Sequence, residues 1–152
     1  MSNSSFQFKQ FTIHHDLCAM KVGTDGVLLG AWTEVGENIK KILDIGTGSG
    51  LIAIMLAQKS NALITGIDID NNAIEQARIN SNNTPWSKRL SFHCENAEIF
   101  QEEDTYSLIV CNPPFFQNSL HGPDSRRNDA RHTSSLSFVS LIIKSISLIP
   151  EP

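Results

Sequence analysis

Residues 41–59 read KILDIGTGSGLIAIMLAQK, and this stretch decides the fold. It opens with a short apolar strand at 42–45, which only Asp44 interrupts. Glycines then occur at every second position, at Gly46, Gly48 and Gly50. The part from 51 to 57 is almost wholly apolar and rich in helix formers, which predicts a buried helix. Strand, glycine loop and helix in this order are typical of the first unit of a nucleotide-binding α/β domain.

The spacing of the glycines indicates which ligand the loop takes. The dinucleotide fingerprint G-x-G-x-x-G would need a glycine at position 51 or 53, where this chain has Leu51 and Ala53. The pattern here is D-x-G-x-G-x-G, which resembles motif I of the class I S-adenosylmethionine-dependent methyltransferases. A glycine loop alone also fits a tight turn in another α/β protein, so the residues downstream decide between the two interpretations.

The composition limits the classes of protein to consider. A chain of 152 residues, 40% hydrophobic and 18% charged, predicts one soluble globular domain with a core. The net charge of −4 gives no overall basic signature for nucleic acid. Three scattered cysteines without a C-x-x-C pair favour neither a disulfide framework nor a zinc site. The chain has no apolar signal core and no stretch long enough to span a membrane, so we expect a cytoplasmic protein with reduced thiols.

The N-terminal part of the chain predicts a hairpin followed by a helix. Aromatic and apolar residues alternate with polar ones from Phe6 to Ile13, which indicates two short strands whose aromatic side chains cover one end of the core. Thr24 or Asp25 is placed to cap a helix. The apolar side of that helix is predicted to carry Val27, Leu28, Ala31 and Trp32.

The rest of the chain alternates between strands and helices. After the glycine unit we predict a strand at 62–69, a helix at 71–82, a strand at 90–94 and a strand at 106–111. An amphipathic helix is predicted at 137–149, with an apolar face made of Val139, Ile142, Ile143, Ile146 and Ile149. This alternation is typical of a mostly parallel sheet with right-handed crossovers.

Ligands of such sheets bind at the carboxyl ends of the strands, and four motifs fall there. They are the glycine loop, Asp68, Asn96 and Asn112. Asp68 follows the loop by about twenty residues, where an acidic residue takes ribose hydroxyls; Asp70 is the alternative, although Asp68 lies nearer the apolar run. Ile69 is then expected to lie flat on an adenine. Asn96 would accept a hydrogen bond from the adenine amino group, where methyltransferases commonly carry aspartate.

Residues 112–115 read NPPF and form the most specific motif. Two prolines at the end of a buried strand stop the ladder and fix the backbone, so that the Asn112 amide oxygen and the Pro113 carbonyl become rigid acceptors. Phe115 offers a flat face, and stacking a base on such a ring contributes about 1–3 kcal/mol. The stretch resembles the N-P-P-[FYW] motif of amino-directed methyltransferases, which methylate adenine, cytosine or guanine amino groups or glutamine side chains. The resemblance implies a catalytic set of Asn112, Pro113, Pro114 and Phe115, whereas the alternative is a proline turn with core aromatics.

The remaining polar residues give weaker signals. No histidine has the spacing of a metal ligand with carboxylates, so no metal is expected, and His14 and His15 are interpreted as surface residues at a strand end. The polar stretch at 117–135 predicts a long loop with a local excess of positive charge. Its cationic residues fit phosphates beside a target nucleotide, or they belong to an ordinary solvated loop: Arg126, Arg127, Arg131 and His132.

Four stretches together are similar to the bacterial tRNA1(Val) (adenine-N6)-methyltransferase family. They are FKQFTIHHDLCAMKVGTDGVLLGAW, DIGTGSGLIAIMLAQ, CNPPFF and the arginine loop ending in ARHT, and KVGTDGVLLGAW is the most specific part. Members of that family methylate the adenosine immediately 3′ of the anticodon, position 37. The resemblance implies tRNA as substrate, and no obligate protein partner is evident from the sequence. It also implies S-adenosyl-L-methionine as cofactor, with Lys21, Gly23 and Thr24 near its methionine part and the other cofactor contacts made by Asp44, Gly46, Gly48, Gly50, Asp68, Ile69, Asn96 and Asn112.

The resemblance also sets the expected domain organisation. We expect an α/β chain with a Rossmann-like class I methyltransferase fold, in which strands one to four of the mostly parallel sheet are present and the C-terminal strands are missing. The chain is then a single domain at 1–152, incomplete at its C-terminus, with a short β/helix extension at 1–35 and a cofactor-binding core at 36–152. The alternatives are another NPPF enzyme, acting on guanine N2 of rRNA or on a protein glutamine, and a cofactor-binding fragment without activity. NPPF beside an intact glycine loop argues against the last.

Overall fold

The structure is a computed structural model that describes residues 4–102, 105–113 and 138–150. Its elements alternate between strands and helices after an N-terminal hairpin. In chain order they are β1 (Ser5–Gln7), β2 (Thr12–His14), α1 (Thr24–Trp32), β3 (Lys41–Ile45), α2 (Leu51–Lys59), β4 (Leu63–Asp68), α3 (Asn71–Asn82), a 3₁₀ turn (Ser87–Arg89), β5 (Leu90–Cys94), β6 (Leu108–Cys111) and α4 (Phe138–Leu148).

Four parallel strands form the central sheet in the order β5-β4-β3-β6. Ile42 of β3 pairs with Ile64 of β4 on one side and with Leu108 of β6 on the other. The chain therefore runs outward from β3 through β4 to β5 and then returns to the opposite side of β3. Such a reversal makes a crevice at the carboxyl end of the sheet, where open α/β sheets bind ligands. The expected α/β fold with a parallel sheet is confirmed.

The central strand β3 is buried on both faces, and its successive side chains point to opposite faces of the sheet. Ile42 packs with the buried residues of α2 and α3, including Leu56 and Ile74. The next residue, Leu43, packs on the other face with Tyr106 and the end of α4. The glycine loop at 46–50 is thus held between a strand and a helix that are both fixed in the core.

The N-terminal hairpin covers one end of this core, as predicted. Phe11 and Ile13 are buried against Leu51 and Ile54 of α2, and the Phe11 ring stacks on that of Phe8 at 4.6 Å between centroids. The prediction for His15 is wrong, because this side chain is buried and its Nδ1 accepts a hydrogen bond from the Val22 N–H at 3.3 Å. His15 follows the end of β2 and is covered by the segment that leads to α1.

Of the four residues predicted on the buried face of helix α1, Val27 packs on the core as expected, but the other three are exposed. Its buried residues are Gly26 and Gly30, and a Cβ added at Gly30 would lie 2.6 Å from the Met55 Sδ of α2. The two helices approach so closely because glycine has no side chain, which leaves Leu28 and Trp32 57% and 85% exposed. Ala31 is exposed too. Neither Thr24 nor Asp25 caps the helix, since Gly23 is at the N-cap position and no side chain donates or accepts there.

Helix α4 also differs from its prediction. Leu141 and Leu148 are the described residues that pack on the core. The predicted apolar face is exposed at its described positions, which are Ile142, Ile143, Ile146 and Ile149. Apolar residues occupy two faces of this helix, and their periodicity alone does not tell which face meets the sheet.

Candidate active site

The glycine loop adopts a backbone conformation that residues with a side chain rarely adopt. Gly46, Gly48 and Gly50 have φ of 70°, 55° and 79°, in the left-handed region that favours glycine. A Cβ added at Gly46 or Gly48 would meet none of the described residues within 4 Å, whereas one at Gly50 would lie 3.1 Å from the Ala77 Cβ of α3. The first two glycines therefore leave open space beside the backbone, and the third lets the loop pack on α3.

Asp44 lies at the base of this loop and is fully buried. Its Oδ2 accepts hydrogen bonds from the Thr47 hydroxyl at 2.7 Å and from the Ala53 N–H at 3.2 Å, while its Oδ1 has no partner among the described residues. Burial raises the pKa of Asp44 to about 7, although those two hydrogen bonds lower it. A buried carboxyl oxygen without a donor is costly, and a positively charged ligand group would relieve that cost.

The two acidic residues after β4 have separate contacts. Asp68 receives the Gly48 N–H on Oδ2 at 2.9 Å and the Asp70 N–H on Oδ1 at 3.0 Å, so it lies against the loop. Asp70 instead caps α3 by accepting the Asn72 N–H at 2.9 Å. Burial raises the pKa of Asp68, and its backbone hydrogen bonds oppose that effect. Asp68 therefore contacts the glycine loop, whereas Asp70 contacts the start of α3.

The residues expected near an adenine lie beside Asp68. The Glu95 N–H donates to the Asp68 carbonyl at 2.9 Å and joins the ends of β4 and β5. Ile69 is 48% exposed, and Asn96 is exposed just beyond β5. The Asn96 amide oxygen accepts the Glu98 N–H at 2.9 Å, which leaves one of its two lone pairs for a ligand.

Asn112 and Pro113 lie on the other side of the loop. Cys111 pairs with Ile45 in the β3–β6 register, so Asn112 follows β6 at the level where Gly46 follows β3. A Cβ added at Gly26 of α1 would lie 3.6 Å from Asn112 Nδ2, which puts the start of α1 against this amide. Three residues before and at the start of that helix are exposed: Lys21, Gly23 and Thr24.

Six of the predicted site residues fall outside the described residues, so their placement stays a prediction. They are Pro114, Phe115, Arg126, Arg127, Arg131 and His132.

Sequence reasoning missed a neighbour of the site at Cys18. Burial, together with the nearby charges of Asp68, Asp70 and Asp16, raises the pKa of its thiol to about 12, so the segment before α1 lies close to the carboxylates after the glycine loop. Burial likewise raises the pKa of Cys111 to about 12, with added effects of Asp44 and Asp68. Both thiols are protonated at neutral pH and supply no nucleophile. Only the KVGTDG stretch nearby in the sequence hinted at this region.

Neither a metal nor a membrane is indicated by the part of the chain that the structure describes. There, no group of three or more His, Cys, Asp and Glu side chains is placed to hold a metal ion. No helix among the described ranges combines the length and apolar character needed to cross a bilayer.

Solved structures of low sequence identity share the fold. YjhP from E. coli superposes with a TM-score of 0.62 at 17% identity, over 90% of this chain and 47% of that one. A SAM-dependent methyltransferase from Thiobacillus denitrificans, in complex with S-adenosyl-L-homocysteine, gives 0.62 at 16% identity, over 91% of this chain and 47% of that one. These similarities support the Rossmann-like methyltransferase fold expected from the sequence.

Curated relatives are much more similar in sequence, and the three that follow are each named tRNA1(Val) (adenine(37)-N6)-methyltransferase. The relative from Bacteroides fragilis is 50% identical over 155 aligned positions, which cover all of this chain and 65% of the relative. That from Phocaeicola vulgatus is 52% identical over 141, or 93% of this chain and 60% of the relative. That from Flavobacterium psychrophilum is 49% identical over 149, or 96% and 64%. The chain spans just under two thirds of the length of these relatives.

A family profile settles the membership. The profile described as "Methyltransferase small domain" matches residues 23–125, more than half of the chain. The match begins before α1 and includes the glycine loop, Asp68 and NPPF. The chain belongs to the methyltransferase small domain family.

Proposed function

We propose that this chain binds S-adenosyl-L-methionine and transfers its methyl group to the N6 amino group of adenine 37 in tRNA1(Val). The observation that carries the proposal is the arrangement at the ends of three adjacent strands. Asp68 is the last residue of β4, the glycine loop follows the neighbouring strand β3, and Asn112 follows β6 on the far side of β3. A ligand lying across the end of β3 would touch all three. The name shared by the relatives supports tRNA adenine as the substrate.

The residues present fit the proposed cofactor. None of the other described residues fills the space beside Gly46 and Gly48, so a ligand can approach the loop backbone there. The Asp68 carboxylate would hold the ribose hydroxyls, through the lone pairs that its two backbone donors leave unused. Burial raises the pKa of Asp44 to about 7, and the positive charge on the sulfonium or amino group of a bound cofactor would favour its ionised form. Ile69 and Asn96 would contact the adenine, and Lys21, Gly23 and Thr24 the methionine end.

The protein's part in methyl transfer is mainly positioning. When bound, the cofactor supplies a methyl group on a sulfonium, which is already activated for attack. The Asn112 amide oxygen and the Pro113 carbonyl would accept the two N–H groups of the target amine and direct its nitrogen toward that methyl. Holding the reactants in line contributes up to roughly 7–11 kcal/mol to lowering the barrier. Phe115 would stack on the adenine, and Arg126, Arg127, Arg131 and His132 would contact phosphates of the tRNA.

The same proposal covers the organisation and location of the protein. Residues 1–35 would form an extension of a single methyltransferase domain whose core is 36–152. Since the hairpin packs on α2, this extension is joined to the core rather than separate from it. Modification of tRNA would place the protein in the cytoplasm.

Methylation of a defined tRNA tests the proposed function. An unmodified tRNA1(Val) transcript is incubated with the chain and S-adenosyl-L-methionine, digested to nucleosides and analysed by mass spectrometry. The Bacteroides fragilis relative serves as positive control. We expect N6-methyladenosine, and its loss when position 37 is changed to guanosine. If the control methylates the transcript while this chain does not, or if the product is a methylguanosine, the proposed function is refuted.

A further inference from the structure

Two amide side chains on α3 are buried without belonging to the strand-end site. Asn80 and Gln76 are 0% and 2% exposed. They lie on the helix face that also carries the buried residues Ala73 and Ala77. Buried amides are costly unless they are hydrogen-bonded, so their partners indicate what they hold.

Asn80 connects two parts of the chain that are distant in sequence. Its Oδ1 accepts the His14 N–H at 3.0 Å, and its Nδ2 donates to the His14 carbonyl at 2.8 Å. The same Nδ2 also donates to the carbonyl of Ser49, within the glycine loop, at 2.8 Å. Both N–H donors of the amide are therefore used. One side chain fixes the end of β2 and the loop together.

Gln76 lies one turn earlier and provides a comparison. Its Oε1 accepts the Leu17 N–H at 3.1 Å, which holds the same N-terminal segment. The described hydrogen bonds of Gln76 do not include one to the loop. The N-terminal segment, residues 14–18, is thus held by both amides, but Asn80 alone of the two also holds Ser49.

The N-terminal segment also comes close to the candidate site. Cys18 lies near enough to Asp68 and Asp70 for their charges to raise the pKa of its thiol. The chain then continues through Lys21 to α1, whose start lies against Asn112. A shift of this segment would therefore displace residues on both sides of the glycine loop.

We infer that Asn80 is a positioning residue that couples docking of the N-terminal segment to the ligand-binding conformation of the glycine loop. The identity of the ligand rests on the proposed function, whereas the coupling itself does not. Because such coupling is reciprocal, a ligand on the loop should also hold the segment more firmly. The hydrogen bond to Ser49 predicts an effect of about tenfold on affinity, as for one buried hydrogen bond.

Amide hydrogen exchange on the ligand-free chain tests the coupling. Asn80→Asp keeps the shape but replaces two donors with an oxygen that faces the carbonyls of His14 and Ser49. We expect at least about tenfold faster exchange both at His14 and at Gly48 and Gly50. Gln76→Met should accelerate exchange at Leu17 but not in the loop. If Asn80→Asp leaves loop exchange unchanged, or if Gln76→Met accelerates it equally, the inference is wrong.

A second measurement needs no substitution and remains available if Asn80→Asp fails to fold. Saturating S-adenosylhomocysteine should slow exchange of the His14 amide about tenfold, while an amide of the far end of the sheet, that of Leu63, should change less. Unchanged His14 exchange in a chain that binds the compound would refute the coupling. A chain that does not bind it contradicts the proposed function, and the ligand-free comparison of the two variants then still decides the inference.

Discussion

Substitutions of Asp68, at the end of β4, and of Asp70, just after it, should affect ligand binding and protein stability separately. Asp68 receives N–H groups from Gly48 and Asp70, and its remaining lone pairs are free for ribose hydroxyls. Hydrogen bonds to a charged group contribute about 1.5–3 kcal/mol, which corresponds to roughly tenfold to a hundredfold in affinity. We therefore expect Asp68→Ala to bind S-adenosyl-L-methionine weaker by one to two orders of magnitude. Because burial disfavours the charge on Asp68 and raises its pKa, removing that charge offsets part of the lost hydrogen bonding. We therefore expect the free energy of unfolding to fall by less than the binding free energy does.

Asp70→Ala is the matched control. It removes the cap of α3, in which Asp70 accepts the Asn72 N–H, and should lower the free energy of unfolding by about 0.5–2 kcal/mol. Its affinity for the cofactor should stay within a few-fold of the parent chain. Calorimetric titration and urea unfolding of both variants measure the two effects. Parental affinity in Asp68→Ala, or equal losses of affinity in both variants, would refute the assignment of Asp68.

Three further predictions follow from the geometry of the loop and its neighbours. Asn112→Ala should slow single-turnover methylation at least about a hundredfold with little change in cofactor affinity, because the amine loses an acceptor; Asn112→Asp, which keeps one, should lose less. A parental rate in Asn112→Ala would reduce NPPF to a structural turn. Asp44 holds a proton in the folded chain between pH 4 and 7 that the unfolded chain releases, so stability should fall as pH rises through that window, by roughly 3 kcal/mol between pH 5 and 8. Unfolding curves of Asp44→Asn should lack this component, and an unchanged pH dependence would contradict the burial effect. Gly66→Ala would place a Cβ 2.6 Å from Phe92 Cδ1 and 2.7 Å from the Thr47 hydroxyl, so unfolding should be easier by about 1–3 kcal/mol; an unchanged melting temperature would show that both neighbours move freely.

The sequence predicts the elements around the site well because their signals are local. The helix Asn71–Asn82 and the strand Leu90–Cys94 have the predicted bounds. Strand, glycine loop and helix at 41–59 also occur as expected, since alternating glycines, an apolar strand and helix formers each favour one conformation. Asp68, the loop and Asn112 lie together at the carboxyl end of the sheet, and this follows from the parallel topology alone.

The sequence does not predict which face of each helix packs against the rest of the protein. The pattern of α1 favours burial of Leu28 and Trp32, but the helix packs through Gly26 and Gly30, where the absence of a side chain is the contact. Asn80 and Gln76 of α3 belong to residue types that are mostly exposed to solvent. Their spacing from Ala73 and Ala77 places them on the buried face, and that spacing was the available signal. Their partners, His14, Leu17 and Ser49, are distant in sequence and cannot be found by periodicity.

Titration calorimetry of this chain with S-adenosyl-L-methionine, and separately with NAD, tests the central claim most directly. The claim is that the edge formed by the glycine loop, Asp68 and Asn112 is an S-adenosylmethionine site rather than a dinucleotide site. We predict one-to-one binding of S-adenosyl-L-methionine and no measurable binding of NAD, because the third glycine of the dinucleotide fingerprint is absent. Tight binding of NAD without binding of S-adenosyl-L-methionine would contradict the account.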